Sequence, residues 1–290
     1  MFLNLHSKYQ GIIKYFALLL AIFFSLSLTA CSGGRDQAQV QDTPDQAAQQ
    51  QTTEEKPDPS EPKLNPTFPM TVKDALGTEI TIEKKPQVIV SLTLGSDEML
   101  VGNSEVAGLV STDRILSLTP YADDPEISNI DIDISSVPYR LRNDAESIIA
   151  INPDLVITDT WTDAAFIKQL RNAGIAVYVF KTPGSVTEQF NTVLEIAHIV
   201  GEDKEGVRIV GWMENRLKKV TEKVAALKPN ERLTVMEYSE MFTTAGKNTN
   251  FDSIVTLAGL INVAARDGLE GWPNVSKEKM VQWNPDIIIL

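Results

Sequence analysis

From Met70 onward, short apolar runs alternate with stretches in which apolar residues recur every third or fourth place, the pattern of strands alternating with helices. Met70–Asp74 and Ile80–Ile82 flank Leu76-Gly77-Thr78-Glu79 and read as a β-hairpin. Val88–Leu92 reads as a buried strand that turns at Thr93-Leu94-Gly95 into a helix, with Ser96 or Asp97 expected as N-cap. Val106–Val110 is expected to be the next strand. Asp144–Ile151 sets Ala145, Ile148, Ile149 and Ile151 at helical spacing, and Asn152-Pro153-Asp154 stops that helix before the strand Leu155–Thr158. A helix over 164–173, a strand over 175–180 and a helix over 187–200 follow, ended in turn by Gly174 and Gly201. Such alternation predicts an α/β fold whose sheet is mainly parallel and covered on both faces.

Between Asp203 and Leu227 the spacing of Val207, Val210, Met213, Leu217, Val220 and Val224 predicts one long helix, with Pro229 beyond its end. At 1.5 Å per residue it would run about 35–40 Å, enough to join two lobes. The alternation then restarts: strand 233–236, helix 252–258, helix 277–283, strand 286–290. A repeat ties the two parts together. Ala145-Glu146-Ser147 through Asn152-Pro153-Asp154-Leu155-Val156-Ile157 matches Lys277-Glu278-Lys279 through Asn284-Pro285-Asp286-Ile287-Ile288-Ile289. The expected layout is therefore an N-terminal lobe over 68–201, an inter-lobe helix over 202–229 and a C-terminal lobe over 230–290. The second lobe is expected to be incomplete, lacking at least ~30 residues of a further crossover, because its last strand ends at Leu290 inside an apolar run.

Upstream, Ser32–Pro66 is rich in Gln, Asp, Glu, Thr and Pro and holds too little apolar surface to offset its ordering entropy. Residues 31–67 are expected to be a disordered tether. Before it, Lys8 and Lys14 precede the apolar run Tyr15–Leu28, and Leu28-Thr29-Ala30-Cys31 closes the segment. This stretch resembles a bacterial lipoprotein signal peptide with its lipobox. The resemblance implies that residues 1–30 are removed and that Cys31 carries the acyl chains of a lipid anchor, on the extracytoplasmic side of the membrane in the cell envelope. An uncleaved membrane helix is the competing reading.

Charge and residue inventory narrow the chemistry. The chain carries a formal net charge of −13, which becomes −15 when Lys8 and Lys14 leave with the leader, and this disfavours a nucleic-acid partner. Cys31 is the only cysteine, so neither a disulfide nor a Cys-ligated metal is expected once it is acylated. His6 lies in the leader, which leaves His198, beside Glu195 and Glu202, as the only mature histidine. No site for a bare metal ion and no resident cofactor is expected, and any metal would arrive already chelated. An anchored α/β hydrolase would need a Gly-x-Ser-x-Gly elbow and a triad histidine. Leu94-Gly95-Ser96-Asp97-Glu98 lacks the second glycine, so no catalytic residue is assigned. A sensor module not coupled to transport remains the other alternative.

Taken in order, the lipobox, the tether, Gly95-Ser96-Asp97-Glu98 after its strand, the 145–159 block, the long helix, Phe242-Thr243-Thr244-Ala245-Gly246-Lys247 and Gly271-Trp272-Pro273-Asn274-Val275-Ser276-Lys277-Glu278 resemble the solute-binding lipoproteins of ABC importers for cobalamin, ferric siderophores and haem. That resemblance implies a monomer of two lobes joined by a stiff helix, a metal chelate held in the cleft between them, and an ABC permease dimer with its ATPase as partner. It places aromatic contacts to the ligand at Tyr121, Trp161, Phe242 and Trp272, all in expected loops, where rigid rings stack on large flat ligands at low entropic cost. Trp212 and Trp283 fall in expected helices and read as core. Tyr139 stands where a further aromatic would be sought, while Arg140 and Arg142 suit carboxylate, catecholate or propionate groups. Glu146 and Glu278, at equivalent places in the repeat, are the pair that would dock onto the two permease subunits.

Overall fold

The computed structural model describes residues 66–239 and 241–290; the expected leader 1–30, the lipidation site Cys31 and nearly all of the 31–67 tether lie outside the described residues. Among the described residues no helix is long and apolar enough to cross a membrane. β1 (Met70–Lys73) and β2 (Glu79–Ile82) form the expected antiparallel hairpin. The Asp74 carboxylate accepts the N–H groups of Leu76 and Thr78, at 3.0 and 2.9 Å, to fix its turn.

β3 (Ile89–Ser91) leads into α1 (Leu94–Val101). The cap is Thr93 and not Ser96 or Asp97: its hydroxyl accepts the Ser96 N–H at 3.2 Å, so the helix starts earlier and draws Asp97 into its first turn and out of solvent. The expected strand over Val106–Val110 is not one. The N–H groups of Gly108, Leu109 and Val110 bond the carbonyls of Val101, Met99 and Leu100, at 3.0–3.1 Å, satisfying the open carboxyl end of α1 instead of a sheet. A Cβ at Gly102 or Gly108 would lie 2.2–2.3 Å from the facing backbone, which is why both positions are glycine.

β4 (Ile115–Leu118) is the sheet's next strand and ends in a 3-10 turn over Pro120–Asp123. After β5 (Tyr139–Arg140) come α2 (Ala145–Ile151), β6 (Leu155–Asp159), α3 (Ala164–Asn172), β7 (Val177–Phe180) and α4 (Val186–Val200). The strands form a five-stranded parallel sheet in the order β5-β4-β3-β6-β7. Period-two alternation sends Ile89, Leu155, Ile157, Tyr178 and Phe180 to one face, against Leu100, Ile196 and Ile199. Val90, Val156, Val177 and Val179 go to the other, against Ile148, Ile167 and Leu170. Burial on both faces accounts for the continuous apolar runs of these strands.

α5 (Asp203–Val224) is the long helix, about 33 Å at 1.5 Å per residue. Ile209 and Val210 pack into the first core, whereas a Cβ on Gly259, behind the next helix, would come within 2.8 Å of Val224. Its two ends thus meet the two halves of the chain. Beyond it lie β8 (Thr234–Glu237), α6 (Asn250–Leu257), β9 (Ile261–Asn262), α7 (Val263–Arg266), α8 (Lys277–Trp283) and β10 (Ile287–Ile289). β10, β8 and β9 make a second parallel sheet, three strands wide in that order, over a small core of Met236, Val263 and Val275.

Candidate functional site

Because the strands of the first sheet all run the same way, their carboxyl ends share one edge, the usual place for a ligand in an open parallel sheet. Tyr121 stands there in the turn after β4 and Trp161 in the turn after β6. The Trp161 turn is tight: Asp159 Oδ1 accepts the Trp161 N–H at 3.0 Å, and the Thr158 and Thr162 hydroxyls bond at 2.6 Å. Tyr121 is 47% exposed and Trp161 78%. Both rings stand in water at the edge of a sheet whose own faces are filled. Arg142, two residues beyond β5, sets its guanidinium carbon 5.7 Å from the Tyr121 ring centre, within cation–π range.

In the second half, Phe242 follows β8 in a turn closed by its N–H to Ser239 O at 3.0 Å and by the Ser239 and Thr243 hydroxyls at 2.7 Å. Its backbone is left-handed (φ 60°), and its ring meets Tyr238 edge to face, with centroids 6.3 Å apart. The Trp272 loop lies alongside. Val275 N–H reaches Phe242 O at 2.8 Å, Thr244 N–H reaches Pro273 O at 3.1 Å and Gly246 N–H reaches Gly271 O at 2.8 Å. Phe242 and Trp272, 56% and 52% exposed, therefore sit on one paired pair of loops.

The remaining expected residues are placed as follows. Tyr139 lies within the edge strand β5 and is exposed. Arg140 spends all five guanidinium donors inside the protein: Nε and Nη2 bond both Asp123 carboxylate oxygens at 2.6 and 2.9 Å, Nη1 bonds the Val137 and Tyr139 carbonyls, and Nη2 also bonds Ile134 O. It braces the Tyr121 turn and has no donor left over. Glu146 and Glu278 are both exposed and both second in their helices, behind the N-caps Asp144 and Ser276. Its own N–H and the Ser276 hydroxyl hold the Glu278 carboxyl below its ordinary range. Trp212 is only half-buried, with Arg216 stacked 4.8 Å from its ring centre, and Trp283 is half-buried against the small second core. His198 pairs with Asp203 at 3.1 Å, while Glu202 is taken by Arg114 and Lys85.

The two halves touch where the loop after β7 meets the start of α6. Val186 N–H donates to Ser253 Oγ at 3.1 Å, and a Cβ at Gly184 would stand 3.0 Å from Asn248 O. A polar cavity of about 560 Å³ opens at this junction, lined by Lys181, Thr182 and Glu188 from one half and Asn248, Thr249 and Asp252 from the other. Thr182 Oγ1 lies 3.4 Å from Asp159 Oδ2, which ties the junction to the Trp161 turn. The sequence offers Asp97 only as one of two candidate N-caps, whereas the residue is fully buried behind Thr119 at the root of the Tyr121 turn. An acidic residue in a first helical turn looks alike whether it faces water or core, so nothing in the residue order separates the two.

Residues 89–290 match the family model described as periplasmic binding protein. The chain belongs to the periplasmic binding protein family. Relatives of this periplasmic binding protein include an ABC transporter substrate-binding lipoprotein of Bacillus subtilis, YvrC, 28% identical over 77% of this chain and 69% of the relative. A cobalamin-binding protein of Halobacterium salinarum is 23% identical over 77% of this chain, which spans 58% of that protein's length. In fold, the heme binding protein HmuT superposes with a TM-score of 0.59 at 23% identity, over 77% of this chain and 72% of that one. HmuT shares the α/β fold described above.

Proposed function

We propose that this periplasmic binding protein captures a large metal chelate, cobalamin-like or a ferric siderophore, between the ring-bearing loops of its two halves. It hands that ligand to an ABC permease dimer and its ATPase, acting as a non-catalytic monomer held by a lipid on Cys31 at the extracytoplasmic face of the membrane. One observation carries the reading: Tyr121, Trp161, Phe242 and Trp272 are all large, all exposed, and all mounted on short hydrogen-bonded turns at sheet ends or beside them. Each such ring offers about 150–250 Å² of apolar surface. Cobalamin-binding and haem-binding proteins among the relatives support the ligand class. In this reading the charge for anionic groups on the chelate comes from Arg142, since Arg140 is internally engaged.

The test is a tryptophan fluorescence titration of the whole chain with cyanocobalamin, haemin and a ferric siderophore. Saturable quenching by one of them is expected, weakened at least tenfold in Trp161→Ala and Trp272→Ala. Three flat titrations would remove the proposal. Glu146 and Glu278 serve as the docking pair, one from each half, a like-charged arrangement suited to a two-fold partner. The double change Glu146→Ala with Glu278→Ala is expected to abolish uptake in cells and leave the titration unchanged; loss of chelate binding in that variant would refute the docking role.

A further inference from the structure

Behind the Tyr121 turn the structure buries a carboxyl group that the reading above does not use. Asp97 is fully out of solvent. Its Oδ2 accepts two hydrogen bonds from Thr119, from the N–H at 3.1 Å and from the hydroxyl at 2.5 Å, and its Oδ1 is buried with no hydrogen-bond partner among the described residues. Thr119 is the residue that starts the Pro120–Asp123 turn, and its carbonyl accepts the Ala122 N–H at 3.2 Å. At the other end of the same turn, Asp123 is gripped on both carboxylate oxygens by Arg140. The turn that carries Tyr121 is thus clamped at its start by a buried acid and at its end by a fully engaged guanidinium.

We infer that Asp97 and Arg140 are positioning residues for the Tyr121 arm, and that the protonation of Asp97 sets how firmly the arm is held. This rests on the reading of Tyr121 as a ligand-facing ring. Burial pushes the Asp97 carboxyl up to about 7, against the Ser91 and Thr119 groups and the Arg140 charge, which pull it down. Arg140 on β5 is the charged side chain that acts on it; the neighbours from β3 and from the end of β4 are the Ser91 and Thr119 hydroxyls, and Glu98, next along α1, is turned to the Asn129 N–H at 2.9 Å. When Asp97 releases its proton to solvent, both Thr119 bonds become charge-assisted and the turn tightens; when it takes the proton back they weaken. Chelate affinity should therefore rise as pH rises through neutrality.

The experiment follows the Thr119 amide by NMR in the full chain, without ligand, from pH 5 to 9. A midpoint near 7 is expected in the wild type, absent in Asp97→Asn and moved upward in Thr119→Val, which keeps the residue's shape and removes one donor. Amide exchange at Ala122, corrected for its intrinsic pH dependence, should slow several-fold between pH 6 and 8 in the wild type alone. A flat Thr119 titration, a midpoint that survives in Asp97→Asn, or Ala122 exchange that ignores pH would each overturn the clamp. Cyanocobalamin titration supplies the second arm: affinity several-fold tighter at pH 8 than at pH 6 in the wild type and flat in Asp97→Asn supports it. If the amide titrates as expected but Tyr121→Ala leaves affinity for every chelate unchanged, the clamp stands and the ligand-facing role of Tyr121 falls.

Discussion

The blocks around Asn152-Pro153-Asp154 and Asn284-Pro285-Asp286 are built alike in backbone and unlike in burial. Each helix, α2 and α8, starts on a side-chain cap, Asp144 or Ser276, and ends on an asparagine in the left-handed region, with φ/ψ of 48°/63° at Asn152 and 44°/59° at Asn284. Each following aspartate reaches across to the start of the neighbouring strand: Asp154 to the N–H groups of Gln87 and Val88, Asp286 to the N–H and hydroxyl of Thr234. The strands then part company. β6 lies between β3 and β7 with Leu155, Val156 and Ile157 fully buried, while β10, among the described residues, pairs with β8 alone and leaves Ile288 and Ile289 exposed. Residue order dictates the helix-stop-strand unit locally; the layers packed around it decide what the unit contributes to stability.

The largest effect should come from one substitution made at both matched positions. Ile157→Ala removes side-chain atoms from a filled two-layer core and is expected to cost about 2–5 kcal/mol. Ile289→Ala, at 43% exposure, should cost less than about 1 kcal/mol. Urea unfolding of the two variants measures the gap, and equal costs would break the contrast. Next come the aspartates. Partial burial alone would raise the Asp154 carboxyl, but the Gln87 N–H, Lys84 and the Val88 N–H outweigh it and hold it below its ordinary range; the two Thr234 bonds do the same for Asp286. Depressed folded-state values mean that their stabilisation is present above about pH 4 and lost as pH falls through the folded values. Asp154→Asn is expected to cost about 1–2 kcal/mol at pH 7. Both Asp154→Asn and Asp286→Asn should flatten the fall in unfolding midpoint between pH 5 and 2.5, and an unchanged slope would count against these contacts.

The twin units were legible because their signals are local: an acid or hydroxyl cap, a Pro that blocks helix continuation, a β-branched run. The long helix was legible for the same reason, its apolar spacing running unbroken to Val224. Val106–Val110 misled, since a run of apolar residues that plugs a helix end reads like one that joins a sheet. β5 and β9, two residues each, are too short to show alternation at all. At the candidate site, the exposed rings stood out by residue type and loop position, but the fate of a charge did not. Arg140 and Arg142 are equivalent in the sequence, and only the fold shows that one is locked to Asp123 while the other lies over Tyr121.

The smallest effect tests whether the two helix stops are energetically alike as well as geometrically alike. A left-handed backbone costs most residues about 1–2 kcal/mol, less for asparagine, and glycine nothing sterically. Asn152 and Asn284 share this conformation to within a few degrees, and each N–H closes on its own helix, to Ile149 O at 3.1 Å and to Met280 O at 3.0 Å. Asn→Ala at either site should therefore lower stability by about 1 kcal/mol, and Asn→Gly should leave it unchanged or raise it by a few tenths. Measured as paired urea midpoints, equal responses at the two sites would show that the stop is a property of the local sequence, independent of whether a covered or an uncovered strand follows. A response confined to Asn152 would mean that the cap draws its strength from the packed sheet beyond it, and that the resemblance of the two blocks is one of shape alone.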